Sequence, residues 1–183
     1  MNTKYLKIEI TEDNIGILSI NRPEALNALN TEVLHELNQV LEGYLNGENK
    51  IIGLVFTGEG EKAFIAGADI KSMIGLSNDE AKKLSNLGQQ TTLLMESLPF
   101  PIIACVNGYA LGGGLEMALG ADFIYCSKNA VFGLPEVKLG LIPGFGGTQR
   151  LSRLVGRNLA REIIYTGKNI TSDEAMILNI SNK

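Results

Sequence analysis

Between Asn107 and Glu136 the chain reads NGYALGGGLEMALGADFIYCSKNAVFGLPE, and no other stretch constrains the fold as tightly. Three consecutive glycines, Gly112 to Gly114, run straight into Leu115-Glu116-Met117-Ala118-Leu119, an apolar helical segment carrying a single carboxylate. Glycine allows positive φ and close backbone approach. A helix starting just after such a loop turns free N–H groups and its positive dipole end toward whatever sits in the loop. Glu116 interrupts the apolar pattern, and a carboxylate there needs either solvent access or a task. Twenty residues later Glu136 follows in the loop-like context Gly133-Leu134-Pro135-Glu136. N–H groups beside a carboxylate are the layout of an oxyanion site.

The rest of the chain alternates strand and helix patterns. Lys4–Ile10 and Ile15–Ile20 read as short strands joined by the hairpin-type connection Thr11-Glu12-Asp13-Asn14. From Asn30 the apolar residues Val33, Leu34, Leu37, Val40, Leu41, Tyr44 and Leu45 take helical spacing, with Asn30 or Thr31 as N-cap. Ile51–Thr57 is a β-branched-rich run of the kind found in buried parallel strands. Asp79 to Ser97 reads as a helix stopped by Pro99 and Pro101, Ile102–Val106 as a buried strand, Leu115–Leu119 as a helix and Asp122–Cys126 as a strand. Helices are also expected at Leu151–Val155 and Ala160–Tyr165, and a short one capped by Ser172 or Asp173 through Leu178. Strand–loop–helix repetition with buried strands predicts an α/β architecture.

At 183 residues the chain is long enough for one domain with a substantial core. A net charge of -4 argues against nucleic acid or an anionic membrane surface as partner. The most apolar stretch, Leu98 to Ala121, is broken by Pro99, Pro101, Asn107, the glycines and Glu116, so it is no membrane span. Cys105 and Cys126 lack CxxC spacing and read as buried reduced thiols of a cytoplasmic protein.

Other chemistries fail on their motifs. Gly144-Phe145-Gly146-Gly147 is not GxGxxG, and Gly58-Glu59-Gly60-Glu61-Lys62 lacks P-loop spacing and places acid beside the would-be phosphate. One histidine and two separated cysteines leave no structural zinc site and no metal. A Ser-His-Asp triad would have to recruit His35, which reads as a solvated residue on an early amphipathic helix. What remains is two small-residue loops and two glutamates. Two carboxylates on one cavity can hold a water between them, one taking its proton and the other giving one up. On spacing alone, exposed glutamates and glycines used only for tight packing stand level with that reading.

Several segments decide between them by resemblance. These are Ile20-Asn21-Arg22-Pro23 with Ala25 to Leu29, Ala63 through Lys71, Val106 through Glu116, Phe132 through Glu136, and Gly140 through Leu151. Together, in order and spacing, they resemble the crotonase superfamily, specifically its enoyl-CoA hydratases, and the closest match is to short-chain enoyl-CoA hydratases and 3-hydroxybutyryl-CoA dehydratases. The resemblance implies a spiral of ββα units with one active site. It further implies that residues 1–183 form a single N-terminal spiral domain, lacking the usual C-terminal helical region that builds the trimer or hexamer.

By position in the family's motifs, the resemblance makes the N–H groups of Ala68 and Gly113 the oxyanion hole for an acyl-CoA thioester. It makes Glu116 the base on the water that adds to the β-carbon, and Glu136 the donor of a proton to the α-carbon. Ala66, Asp69, Ile70 and Lys71 fall where relatives contact CoA, although Asp69 also reads as a structural or capping residue. No cofactor is implied, since coenzyme A is part of the substrate. The implied reaction is reversible hydration of a trans-2-enoyl-CoA. The alternatives are a Δ3-Δ2 enoyl-CoA isomerase or other acyl-CoA enzyme of the superfamily, and an inactive acyl-CoA-binding fragment.

Overall fold

A computed structural model describes residues 3–48 and 50–183. The chain opens with a hairpin, β1 (Leu6–Ile10) and β2 (Ile15–Ile20), paired antiparallel with Leu6 opposite Ile20. A short 3₁₀ turn over Pro23–Ala25 leads to α1 (Thr31–Leu45), capped where the Asn30 side chain accepts from the Val33 N–H. The chain then repeats one pattern: a strand in a large sheet, a strand in a small sheet, then helix.

The first turn of the spiral is β3 (Gly53–Gly58), β4 (Ala63–Ile65), α2 (Ile70–Met73) and α3 (Asn78–Glu96). The second is β5 (Ile102–Val106), β6 (Tyr109–Leu111) and α4 (Gly113–Ala118). The third is β7 (Phe123–Cys126), β8 (Val131–Gly133), a 3₁₀ turn over Pro135–Leu139, and then α5 (Gly147–Val155) and α6 (Arg157–Thr166). The described chain closes with β9 (Asn169–Thr171) and α7 (Ser172–Ile177).

The large sheet has the order β1-β2-β3-β5-β7 and is parallel apart from the first pair. The small sheet runs β4-β6-β8-β9, parallel until β9 pairs antiparallel with β8. Parallel neighbours need a crossover between them, and each turn of the spiral provides one. This is the α/β ββα spiral that the sequence resemblance implies.

The core lies between the sheets and helices. α1 buries Val33, Leu34, Leu37, Val40, Leu41 and Tyr44 along one face, packed against α3. β3 alternates half-buried and fully buried residues, and it begins at Gly53, not at Ile51. Ile52 is 65% exposed, so the β-branched run is not buried throughout. α3 starts from a Ser77–Glu80 capping box. α7 is capped by Thr171 with Glu174, one residue ahead of the expected caps, because the threonine side chain reaches the Glu174 N–H. His35 is exposed, as expected, while both cysteines are free and only half-buried. Among the described residues no helix is long and apolar enough to cross a membrane.

α4 begins two residues earlier than the apolar pattern predicts, inside the glycine triplet itself. Only Gly112 takes positive φ, at 51°; Gly113 and Gly114 are already helical. Gly114 lies against β4, where an added Cβ would overlap the Ile65 carbonyl oxygen and come within 2.9 Å of the Ile65 Cβ. Any side chain there forces α4 off the small sheet. Gly114→Ala is therefore expected to destabilise the fold by about 1–3 kcal/mol, overpacking outweighing the gain in helix propensity. The midpoint of urea unfolding checks this, and an unchanged or raised midpoint would refute the close approach.

Candidate active site

Three neighbouring strands of the small sheet run parallel and end at one place. Ile65 of β4 leads into Ala66–Ala68, Leu111 of β6 into Gly112–Gly113, and Gly133 of β8 into Pro135–Glu136. All of these loop residues line a single cavity of about 560 Å³. Carboxyl ends of parallel strands are where open α/β sheets bind ligands. The fold thus delivers both small-residue loops and both glutamates to one cleft, lined mainly by apolar side chains such as Leu84, Leu141 and Ile142.

The loop amides are available. Gly67 accepts from the Leu29 N–H at 2.9 Å and Asp69 donates to the Leu29 carbonyl at 2.7 Å, which fixes the peptides on both sides of Ala68. The Ala68 N–H itself has no hydrogen-bond partner among the described residues. Neither has the Gly113 N–H, the first of α4, where an orphan donor is expected. Two unpaired donors on residues that line a cleft suit a developing oxyanion.

Glu116 is 1% exposed. Its Oε1 accepts from the Phe145 N–H at 2.8 Å and from the Gly147 N–H at 2.6 Å. Burial pushes its carboxyl up to about 7, against the pull of the Gly147 amide; the Glu136 charge adds to the rise, while the Phe145 amide and Arg150 oppose it. A carboxyl poised near neutrality is suited to general acid–base work. Glu136 is also raised by burial, opposed by its own backbone N–H. Its Oε2 is buried and has no hydrogen-bond partner among the described residues. The Gly112 turn makes room for it, since a Cβ at Gly112 would stand 2.9 Å from the Glu136 Oε1.

Phe145 plugs the cavity wall between two glycines. A Cβ on Gly113 would meet its ring at 2.9 Å, and one on Gly88 of α3 would overlap the ring outright. Each glycine of the triplet therefore has its own reason: Gly112 turns for Glu136, Gly113 admits Phe145 and presents its amide, and Gly114 packs on Ile65.

The structure brings Glu116, Glu136, Ala68, Gly113, Ala66 and Ile70 to the cavity. It does not bring Asp69 or Lys71 there. Asp69 pairs with Arg22 at 3.2 Å, and Arg22 also donates to the Ala28 carbonyl, an arrangement that straps the Ala68 loop to the end of β2. Lys71 is exposed on the one-turn helix α2. Sequence reasoning did not foresee Phe145 and Gly147 as the partners of Glu116, nor Arg22 as the partner of Asp69. The signal was present in Gly144–Gly147, a glycine-rich loop matching no phosphate motif; free backbone N–H groups can serve a carboxylate of the protein just as well.

The arrangement can bind an acyl carbonyl through two amides and place two carboxyls beside it, and comparison with known proteins gives it a family. The family described as Enoyl-CoA hydratase/isomerase matches residues 10–183, and the chain belongs to it. The chain is 47% identical, over 172 residues, to the short-chain-enoyl-CoA hydratase of Clostridium acetobutylicum, which covers 94% of this chain and 66% of the relative. Identity and coverage are the same for the crotonyl-CoA hydratase of Syntrophomonas wolfei. The crystal structure of an enoyl-CoA hydratase from Bacillus anthracis superimposes with a TM-score of 0.93 at 38% identity, covering 97% of this chain and 69% of that one. The chain thus spans a little under two thirds of the length of the curated relatives it matches.

The raised carboxyl of Glu116 has a stability consequence. The folded protein holds this proton above the ordinary carboxylate range, so the unfolded state binds fewer protons between about 4.5 and about 7. Stability is greatest below that window and falls as pH rises through it. Glu116→Gln keeps an acceptor for both amides and removes the charge. The variant is expected to match the native chain near pH 4.5 and exceed its stability by about 1–3 kcal/mol at pH 8. Urea unfolding at both pH values tests this; a variant less stable at pH 8 would show that the ionised carboxylate is well solvated or better paired than its surroundings indicate.

Proposed function

We propose that this chain carries the active site of a hydro-lyase adding water reversibly to a trans-2-enoyl-CoA. The single observation that supports this reading most is the meeting of a buried carboxyl, a half-buried one and two unpartnered backbone amides on one cavity. The thioester oxygen accepts from the Ala68 and Gly113 N–H groups, which draws electron density from the double bond and stabilises the enolate charge of the transition state. A water between the carboxyls loses a proton to Glu116 as its oxygen bonds to the β-carbon. Glu136 gives its proton to the α-carbon, and the product is the 3-hydroxyacyl-CoA. The same groups run dehydration in the opposite direction. No cofactor enters, since coenzyme A arrives as part of the substrate.

The identities with a short-chain-enoyl-CoA hydratase and a crotonyl-CoA hydratase support a short acyl chain. Ala66 and Ile70, at the mouth, are the CoA contacts this reading favours; Asp69 supports the loop from behind, and Lys71 serves as a surface cation for the nucleotide end of CoA. A homo-oligomer, trimer or hexamer, acting in the cytoplasm belongs to the same reading. Large exposed apolar side chains such as Tyr165 and Ile177 support burial in an assembly.

The test is loss of enoyl-thioester absorbance when the protein meets crotonyl-CoA. Glu116→Gln and Glu136→Gln are each expected to lower kcat by about 10²-fold or more. Tolerance of one substitution, with double-bond migration in a 3-enoyl-CoA, would replace hydration by isomerisation. Binding without turnover by the folded chain would leave an acyl-CoA-binding fragment and overturn the proposal.

A further inference from the structure

One face of α3 reaches both the cavity, where Ser85 and Gln89 form part of the wall, and the loop that carries the Glu116 partners. Ser85, Gly88, Gln89, Thr92 and Glu96 recur at helical spacing and all meet the loop over 144–147 or its anchor. The Ser85 Oγ donates to the Gly144 carbonyl at 2.8 Å and the Gln89 Nε2 donates to the same oxygen at 2.9 Å. Gln89 Nε2 also lies 3.2 Å from the Ser85 Oγ, tying the two donors together. The Thr92 Oγ1 and the Arg150 Nη1 both donate to the Phe145 carbonyl at 3.1 Å, and Arg150 is held by Glu96 at 2.7 Å. The Gly146 carbonyl accepts from the Gln149 and Arg150 amides at the start of α5. Every carbonyl from Gly144 to Gly146 is thus engaged by a donor other than Glu116's own partners. The alternate N–H groups, those of Phe145 and Gly147, are left for Glu116.

The Gly144 carbonyl and the Phe145 N–H belong to one peptide unit. We propose that Ser85 and Gln89 are positioning residues for Glu116, acting through that unit: they fix its plane and polarise it, so that its N–H donates more strongly to the Glu116 Oε1. An amide whose carbonyl accepts two hydrogen bonds is the better donor at its other end, and in a low-dielectric interior such chains reinforce one another. A stronger donor favours the ionised carboxylate against burial. The alternative is that these contacts merely dock the loop. It makes a different prediction, because a loop that keeps its place without these donors leaves the proton affinity of Glu116 unchanged.

The charged groups that face Glu116 among the described residues are Glu136, from the turn after β8, and Arg150, from α5. The α3 side chains on the loop are neutral, and Glu96 is taken up by Arg150. The substitutions Ser85→Ala and Gln89→Leu therefore leave the local charges in place.

The experiment is titration of the Glu116 carboxyl by NMR on protein labelled with ¹³C at the glutamate side-chain carboxyl, its signal assigned by loss in Glu116→Gln. It is run without substrate on the native chain, on Ser85→Ala, on Ser85→Ala combined with Gln89→Leu, and on Ser85→Thr. Removing both donors is expected to raise the Glu116 midpoint by about half a pH unit or more, Ser85→Ala alone by less, and Ser85→Thr by nothing measurable. A lowered urea midpoint with an unmoved carboxyl titration would mean docking only and would overturn the proposal. So would a Ser85→Thr variant that shifts like Ser85→Ala.

The kinetic arm rests on the proposed hydration. There the acid limb of the kcat profile should move upward with the titration while KM for crotonyl-CoA stays within about twofold. Ser85 and Gln89 already line the cavity, so a raised KM with the carboxyl unmoved would leave them as substrate wall alone and overturn the positioning role. Because the titration needs no turnover, a chain that shifts as expected but does not hydrate crotonyl-CoA refutes the proposed reaction and leaves this inference standing.

Discussion

A carboxylate buried at 1% exposure and held by two backbone amides is the interaction on which the site depends. An ionised group in so apolar a place is costly unless its lone pairs are met. The two N–H groups offset that cost only in part, which leaves the Glu116 carboxyl near neutrality instead of locked in either state. To hold that balance, α4 must sit hard against β4, the 144–147 loop must turn its amides inward, and α3 must take up the carbonyls on the other side. Gly114, Gly147 and Gly88 are the places where a single added carbon would break one of these contacts, on Ile65, Glu116 and Phe145 respectively.

The spiral makes such a site straightforward to assemble. Each turn sends one strand to the small sheet, and β4, β6 and β8 run parallel beside one another. Their ends consequently emerge together, although the loops they supply are dozens of residues apart in sequence. The Gly112 N–H donates to the Gly133 carbonyl at 2.9 Å, locking the second and third ends in register. The first end is held from outside the sheet, by the Leu29 backbone and by Arg22 on Asp69. The 66–68 loop is thus braced by the segment between β2 and α1 and not by the spiral alone.

These physical facts also explain what the sequence disclosed. The helices over 31–45 and 78–96 and the strand over 102–106 were legible because periodicity, caps and prolines are local signals. Glu116 stood out because a carboxylate in an apolar helix is anomalous, and the glycine triplet beside it because so few conformations need three glycines. The loop partners were not legible. Phe145 and Gly147 lie 29 and 31 residues from Glu116, and they act through backbone groups that every residue carries. That Asp69 and Lys71 do not line the cavity was not legible for a related reason: α2 is a single turn, too short for spacing to fix which way its side chains face. The start of α4 was misjudged because glycines carry no periodicity, so helix and turn read alike across Gly112–Gly114.

The two glutamates differ both in burial and in what meets them, and that difference bears on their proposed division of labour. Glu116 presents one oxygen to two amide donors, and such donors favour the ionised form, which is the form a base requires. Glu136 has an oxygen with no donor, in a site where burial favours the neutral carboxyl, which is the form an acid requires. Two carboxyls on one cavity also resist ionising together, and the Glu136 charge is already felt at Glu116. The arrangement therefore favours a pair that shares a single proton. A pair in that state offers one carboxylate and one neutral carboxyl, the two forms that the proposed hydration calls for.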